Sequence, residues 1–297
     1  MEFRKLAGRA AAVLALSVSA SLAAPVMVVS HPAPRLEAGQ ASQHLPDPAI
    51  PERTPPVLNP VPDGGRAALP AARDELTTVW DKPDGTYVLN PASGRHEAVD
   101  HGIAQTAVLM GDSQAGGAAG IDTADTWLSR GLEARGYTVR FVGAGGTGFV
   151  AGSAAHPNFV DAVESGAVIL PYGNPALVVL EGGGNDAAQG AADAAILANA
   201  ERLLRDMKAS YPTSQFLVVG TLGAGAGSPQ RAHVDAVLAG FARSNGLPFI
   251  SAGDWIMRHR LGGKMADGVH LTAAGHQVLT GVFAGKLADL GLAAPGH

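Results

Sequence analysis

The chain contains no cysteine. That excludes disulfides, thiolate metal sites and a cysteine nucleophile, though not export, because 297 residues, 46% of them hydrophobic, can bury a sizeable core without cross-links. Aromatic residues are scarce at 5%, whereas glycine is frequent at 39 residues; the core is therefore expected to be aliphatic, with close approaches of helix to sheet. Basic runs are missing beyond the extreme N-terminus and the formal net charge is -5, so nucleic acid is not an expected partner. No H-E-x-x-H pattern occurs, and His96 and His101 read as solvated loop residues rather than a ligand pair; neither a metal nor a cofactor is expected. After the first 30 residues no stretch is long and apolar enough to span a bilayer.

What is present begins with an export pattern over residues 1–30. Arg4, Lys5 and Arg9 precede an apolar run from Ala10 to Leu16, and small residues around Ser21–Ala24 offer a cleavage site. The alternative is an uncleaved N-terminal anchor, since no charge occurs from Ala10 to Ser30. Either places the protein outside the cytoplasm, secreted or tethered to membrane or cell wall. Residues 31–73 carry Pro46, Pro48, Pro51, Pro55, Pro56, Pro60 and Pro62, which block regular hydrogen bonding and predict a disordered linker. Residues 74–103 predict a β-hairpin extension, with Leu76–Trp80 and Thr86–Leu89 as strands and Lys82-Pro83-Asp84-Gly85 as the turn.

From residue 104 to about 292 strands and helices alternate. Strands are predicted at Thr106–Met110, Tyr137–Val142, Ala176–Leu180, Gln215–Gly220 and Leu247–Ile250. Helices are predicted at Asp125–Arg135, Asp186–Tyr211, Arg231–Asn245 and Thr272–Leu290. This alternation implies an α/β fold: a three-layer α/β/α sandwich around a mainly parallel five-stranded sheet.

Four short stretches lie at the expected carboxyl ends of these strands or before the last helix, where open α/β sheets hold their chemistry. Gly111-Asp112-Ser113 lifts a serine onto the turn after the first strand. A serine hydroxyl needs a base, and the base needs a partner that fixes its tautomer. Asp267 and His270, three apart on an irregular loop, can meet that need. An oxyanion formed at an attacked carbonyl needs N–H donors. Gly145-Gly146-Thr147-Gly148 can expose backbone amides, and Asn185 after the third strand can offer its side chain. Taken singly, each has an ordinary alternative: surface histidine, flexible turn, helix N-cap. The glycine segment is not a phosphate loop, because the lysine of that motif is absent.

In this order the four stretches resemble the blocks of the SGNH hydrolases, also called GDSL-type esterases and lipases, over roughly residues 104–291. The resemblance implies a flavodoxin-like SGNH fold with a Ser113–His270–Asp267 triad. It implies an oxyanion hole of the Ser113 N–H, the Gly146 N–H (Gly145 is the alternative) and the Asn185 amide. Two positions depart from the family pattern: Gln114 stands where leucine is best known, and Phe141 where asparagine is frequent. The G-x-S-x-G elbow of the other large serine-hydrolase family is excluded by Ala115. The expected function is hydrolysis of a carboxylic ester, short-chain or an acetylated carbohydrate, through an acyl-enzyme. The alternatives are acyl transfer to or deacetylation of a cell-envelope glycan, and a non-catalytic binding module. The loops 153–172 and 222–230, poor in charge, are expected to line the cleft and to favour a short acyl or uncharged substrate.

Overall fold

The computed structural model describes residues 79–223 and 227–297, all within one compact unit, Arg66–His297. The predicted leader, linker and the first half of the predicted hairpin lie outside the described residues.

Five strands form one sheet: β3 (Thr106–Gly111), β4 (Thr138–Gly143), β6 (Leu177–Glu181), β7 (Gln215–Val219) and β8 (Phe249–Ile250), in the order β4-β3-β6-β7-β8. All four pairings are parallel, with Leu109 opposite both Phe141 and Val179. Side chains alternate between the faces of a strand, and here both faces of the three central strands are covered, which is why those read as apolar runs. Ala107, Leu109, Leu177, Val179, Leu217 and Val219 pack on one side against α2 (Trp127–Glu133) and α8 (Ala273–Asp289). Val108, Met110, Val178, Leu180, Phe216 and Val218 pack on the other. There they meet α3 (Phe159–Glu164), α5 (Asp193–Ser210) and α6 (Pro229–Ser244). Trp127 anchors the first layer, edge-on to Phe283 at 5.2 Å and to Trp255, on α7 (Trp255–Arg258), at 5.4 Å. The expected three-layer α/β/α sandwich is observed. Its strand order reverses between β3 and β6, and a crevice at such a reversal is where these sheets bind ligands.

Three expectations are corrected. The long helix predicted from Asp186 to Tyr211 is two helices, α4 (Gly184–Gln189) and α5, because Gly190 takes φ 68° and ends the first. The predicted hairpin is displaced. Thr86–Leu89 does hold a strand, β1 (Tyr87–Asn90), but its partner is β2 (Arg95–Val99), and Val79 and Trp80 are helical. The turn signal at Lys82–Gly85 was sound; the next glycine, Gly94, closes the strand pair instead. Finally, segment 153–172 is not all loop: it holds α3 and β5 (Pro171–Tyr172), and β5 joins β2 in parallel. The resulting three-stranded sheet is fastened to α5 by Arg95 to Asp206 at 3.2 Å, and Tyr211 donates to the Pro171 carbonyl at 2.9 Å.

Candidate active site

Ser113 opens α1 (Ser113–Gly116), the turn directly after β3. Asp112 caps it, its Oδ1 accepting the Gln114 N–H at 2.8 Å, the usual way a short acid satisfies an unpaired helix amide. Asp112 is buried and also accepts from Asn185 Nδ2 at 3.1 Å. Its own N–H points to Glu181 Oε2 at 3.4 Å. Burial pushes Asp112 up to about 6, against the pull of the Gln114 N–H and the Arg231 charge. Burial, and then the nearby Asp112 charge, raise Glu181 well above the ordinary carboxylate range. Two acids this close under Ser113 do not both ionise readily.

His270 faces Ser113 across the cleft, with Nε2 3.0 Å from Oγ. Its other nitrogen, Nδ1, lies 2.8 Å from Asp267 Oδ2. Asp267 Oδ1 accepts the N–H groups of Val269 and His270, both at 2.7 Å. Asp267 therefore closes its own short turn and aims the imidazole with the same carboxylate. The His270 contacts hold its carboxyl well below the usual range. The loop is pinned at both ends. Met265 bridges to Leu271, the Ala266 N–H donates to the His270 carbonyl at 2.8 Å, and Thr272 caps α8. Gln114 reaches across and donates to the Val269 carbonyl at 3.1 Å, joining the Ser113 turn to this loop.

The donor side comes from two further strand ends. Gly145 and Gly146 follow β4 and line the cleft. Gly146 takes φ 77°, which a side chain would resist. A Cβ on Gly145 would lie 3.6 Å from that of Ser113, whereas one on Gly146 would meet Ser153 at 3.8 Å; Gly145 is the glycine packed beside the serine. Asn185 sits in the first turn of α4. The N-cap is Gly183, which removes the capping alternative for Asn185. Its amide donates to the Thr147 carbonyl at 2.8 Å as well as to Asp112. Next to it, buried Asp186 accepts the N–H groups of Phe149, Val150 and Ala151 at 3.0, 2.7 and 2.8 Å. One carboxylate thus clamps the glycine loop to α4.

All the predicted site residues meet in one cleft of ≈ 380 Å³, lined by Ser113, Gly145, Gly146, Asn185 and His270 among others, with Asp267 behind His270. Sequence reasoning missed Arg231, which lines this cleft from the first turn of α6. It also missed the supporting Asp186 and Glu181, although an acid ending an apolar strand run was a visible signal for the latter. The expectation for the lining segments fails. Segment 153–172 contributes no cleft residue, and of segment 222–230 the described residues contribute none. The wall comes instead from Gly117, Ala118, Ala188 and Arg231. Among the described residues no cluster of three histidine or acidic side chains could hold a metal. His101 is engaged with Asp84 at 2.6 Å and with the Trp80 carbonyl at 2.8 Å.

The fold is shared with solved structures of low identity. An active-site mutant of a family two carbohydrate esterase from Clostridium thermocellum superposes with TM-score 0.51 at 15% identity, over 63% of this chain and 64% of that one. A member of the lipolytic G-D-S-L family from Veillonella parvula gives 0.47 at 16%, over 62% and 98%. The carbohydrate acetylesterase Est24 from Sinorhizobium meliloti gives 0.47 at 17%, over 62% and 99%. No curated protein matches the sequence. The model of the GDSL-like lipase/acylhydrolase family, however, matches residues 109–278, more than half of the chain. That span runs from the strand bearing the serine into the helix after the histidine. By its extent the chain belongs to the GDSL-like lipase/acylhydrolase family, and it is an ester-hydrolysing enzyme.

Proposed function

We propose that the protein is an exported serine esterase that cleaves a carboxylic ester, short-chain or an acetylated carbohydrate, through an acyl-enzyme on Ser113. One observation carries this reading: the unbroken relay from Ser113 Oγ to His270 Nε2 at 3.0 Å and from His270 Nδ1 to Asp267 at 2.8 Å. His270 takes the Ser113 proton as Oγ attacks the carbonyl carbon, and Asp267 holds the imidazole in the tautomer that leaves Nε2 free. The N–H of Ser113, the N–H of Gly146 and the amide of Asn185 receive the oxyanion. Asn185 already spends both amide hydrogens on Thr147 and Asp112. Asp112, drawn toward its neutral form by burial, is the acceptor that a full oxyanion displaces. His270 then protonates the leaving alcohol, and water activated by the same base releases the acid. Export is supported by the basic and apolar pattern of residues 1–30.

The test is hydrolysis of p-nitrophenyl acetate, butyrate and octanoate by the full chain beside Ser113→Ala. Turnover that vanishes in the variant supports the reading, and the preferred chain length sizes the acyl pocket. Equal turnover in the variant sinks it. A folded wild type that is inert on all three esters but transfers acetyl to an added glycan would replace hydrolysis by acyl transfer. One inert to both would leave a binding module.

A further inference from the structure

The loops expected to line the cleft are poor in charge, yet a guanidinium stands in its wall. Arg231 lies in the first turn of α6, behind the N-cap Ser228 and Pro229. One of its groups, Nη1, donates to the Leu222 carbonyl at 2.9 Å. The flat head rests on Gly184: a Cβ there would come within 2.7 Å of Nη1 and 3.3 Å of Nη2. The guanidinium is thus held by a backbone carbonyl on one side and by a missing side chain on the other, one residue from Asn185. Among the described residues no carboxylate lies within 4.0 Å of it. The acids that feel its charge, Asp112 and Glu181, are buried beneath the serine and shifted toward their neutral forms. A fixed cation of fork geometry facing a cleft is suited to a planar anion, and the first turn of a 16-residue helix favours the same sign.

We propose that Arg231 forms a carboxylate subsite, so that the ester this enzyme prefers carries a carboxylate close to the scissile bond. The inference rests on the esterase reading and narrows its substrate class to acidic esters: either the acyl part is a dicarboxylic half-ester, or the alcohol is a sugar acid or similar hydroxy acid.

Two matched pairs of substrates separate these sources. Mono-p-nitrophenyl adipate against p-nitrophenyl hexanoate places the charge on the acyl side. 3-Acetoxybenzoate against 3-acetoxybenzamide places it on the alcohol side. The acidic member of one pair is expected to show a kcat/KM at least tenfold above its neutral partner. That ratio is expected to fall toward one in Arg231→Gln, to survive in part in Arg231→Lys, and to shrink in 0.5 M NaCl. An acidic ester no better than its neutral partner in both pairs overturns the subsite while leaving the esterase reading intact. So does a ratio that Arg231→Gln leaves unchanged because both members slow together, which would make the arginine a stabiliser of the oxyanion. If Arg231→Gln does not fold, the wild-type ratio and its salt dependence decide. If neither ester turns over, benzoate and benzamide titrated into Ser113→Ala, followed by calorimetry, report the subsite alone: tighter binding of benzoate upholds it, and equal or absent binding removes it.

Discussion

Two carboxylates flank the same serine–histidine pair in opposite surroundings. Asp267 sits on a surface loop, half exposed, and accepts hydrogen bonds from its own turn and from His270; its charge is strongly favoured. Asp112 is buried beneath Ser113, next to Glu181, and its charge is disfavoured. The contrast separates two jobs. In the proposed mechanism, the acid that must stay ionised while His270 gains a proton is kept where water and N–H donors stabilise it. The acid that holds geometry is kept where packing fixes it, and there the loss of full charge matters little. Proton movement is placed at the rim, and positioning in the interior.

Perturbing the interior layer should affect rate and stability together. Asn185→Ala removes a proposed oxyanion donor and a tie to Asp112 together, and kcat is expected to fall about 10²–10³-fold with KM changed far less. Steady-state kinetics check this, and a loss under threefold would remove Asn185 from the oxyanion hole. Asp186→Ala strips the acceptor from three N–H groups of the glycine loop. A loss of about 3 kcal/mol of stability is expected from orphaned buried donors, read by urea unfolding; an unchanged midpoint would show that the clamp is not needed. At the rim the effect falls on rate alone. Asp267→Asn keeps the Oδ1 bonds to the turn but turns an NH2 toward Nδ1, which holds the imidazole in the wrong tautomer, so kcat is expected to drop about 10⁴-fold with thermal stability nearly unchanged. A drop under about tenfold, or a matching loss of stability, would erase the distinction between rim and interior.

The smallest effect concerns pH. His276, buried at the start of α8, accepts the Trp127 N–H on Nδ1 at 3.0 Å. Burial, and then the His270 charge, lower it from the usual 6.5 to about 4. The unfolded chain therefore binds this proton more readily than the folded one. The stability tied to a neutral His276 is complete above pH 6.5 and is lost as the pH falls toward about 4. His276→Gln should flatten the slope of unfolding free energy over that window; an unaltered slope would assign the acid sensitivity elsewhere. In the proposed mechanism activity falls on acidification for a separate reason, since a protonated His270 cannot accept from Ser113.

The sheet was legible in the sequence because its three central strands, buried on both faces, are compact apolar runs ended by glycine or an acid. The candidate site was legible because its parts fall at strand ends and are local in type: a serine after Gly-Asp, an asparagine after glycines, an acid three before a histidine. What escaped depended on distance in the chain. Arg231 and Gln114 are marked by no local pattern; only the packing of α6 on α4 and of the last loop on α1 gives them partners. The break at Gly190 escaped because the alanines around it favour a helix, while a left-handed glycine ends one. The hairpin was displaced for a related reason: β1 could pair with a run on either side of it, and turn signals flank both.

Ser113 and His270 are separated by 157 positions, and α8, which sets the histidine loop, packs mainly on α2 and the sheet. The two halves of the relay thus enter the ribosomal tunnel at opposite ends of the domain. Bringing them together closes a long loop of chain, a late and entropically costly contact. In the proposed mechanism the nascent protein stays catalytically silent until its last helix has docked, and recovered esterase turnover after refolding is a readout of that final docking.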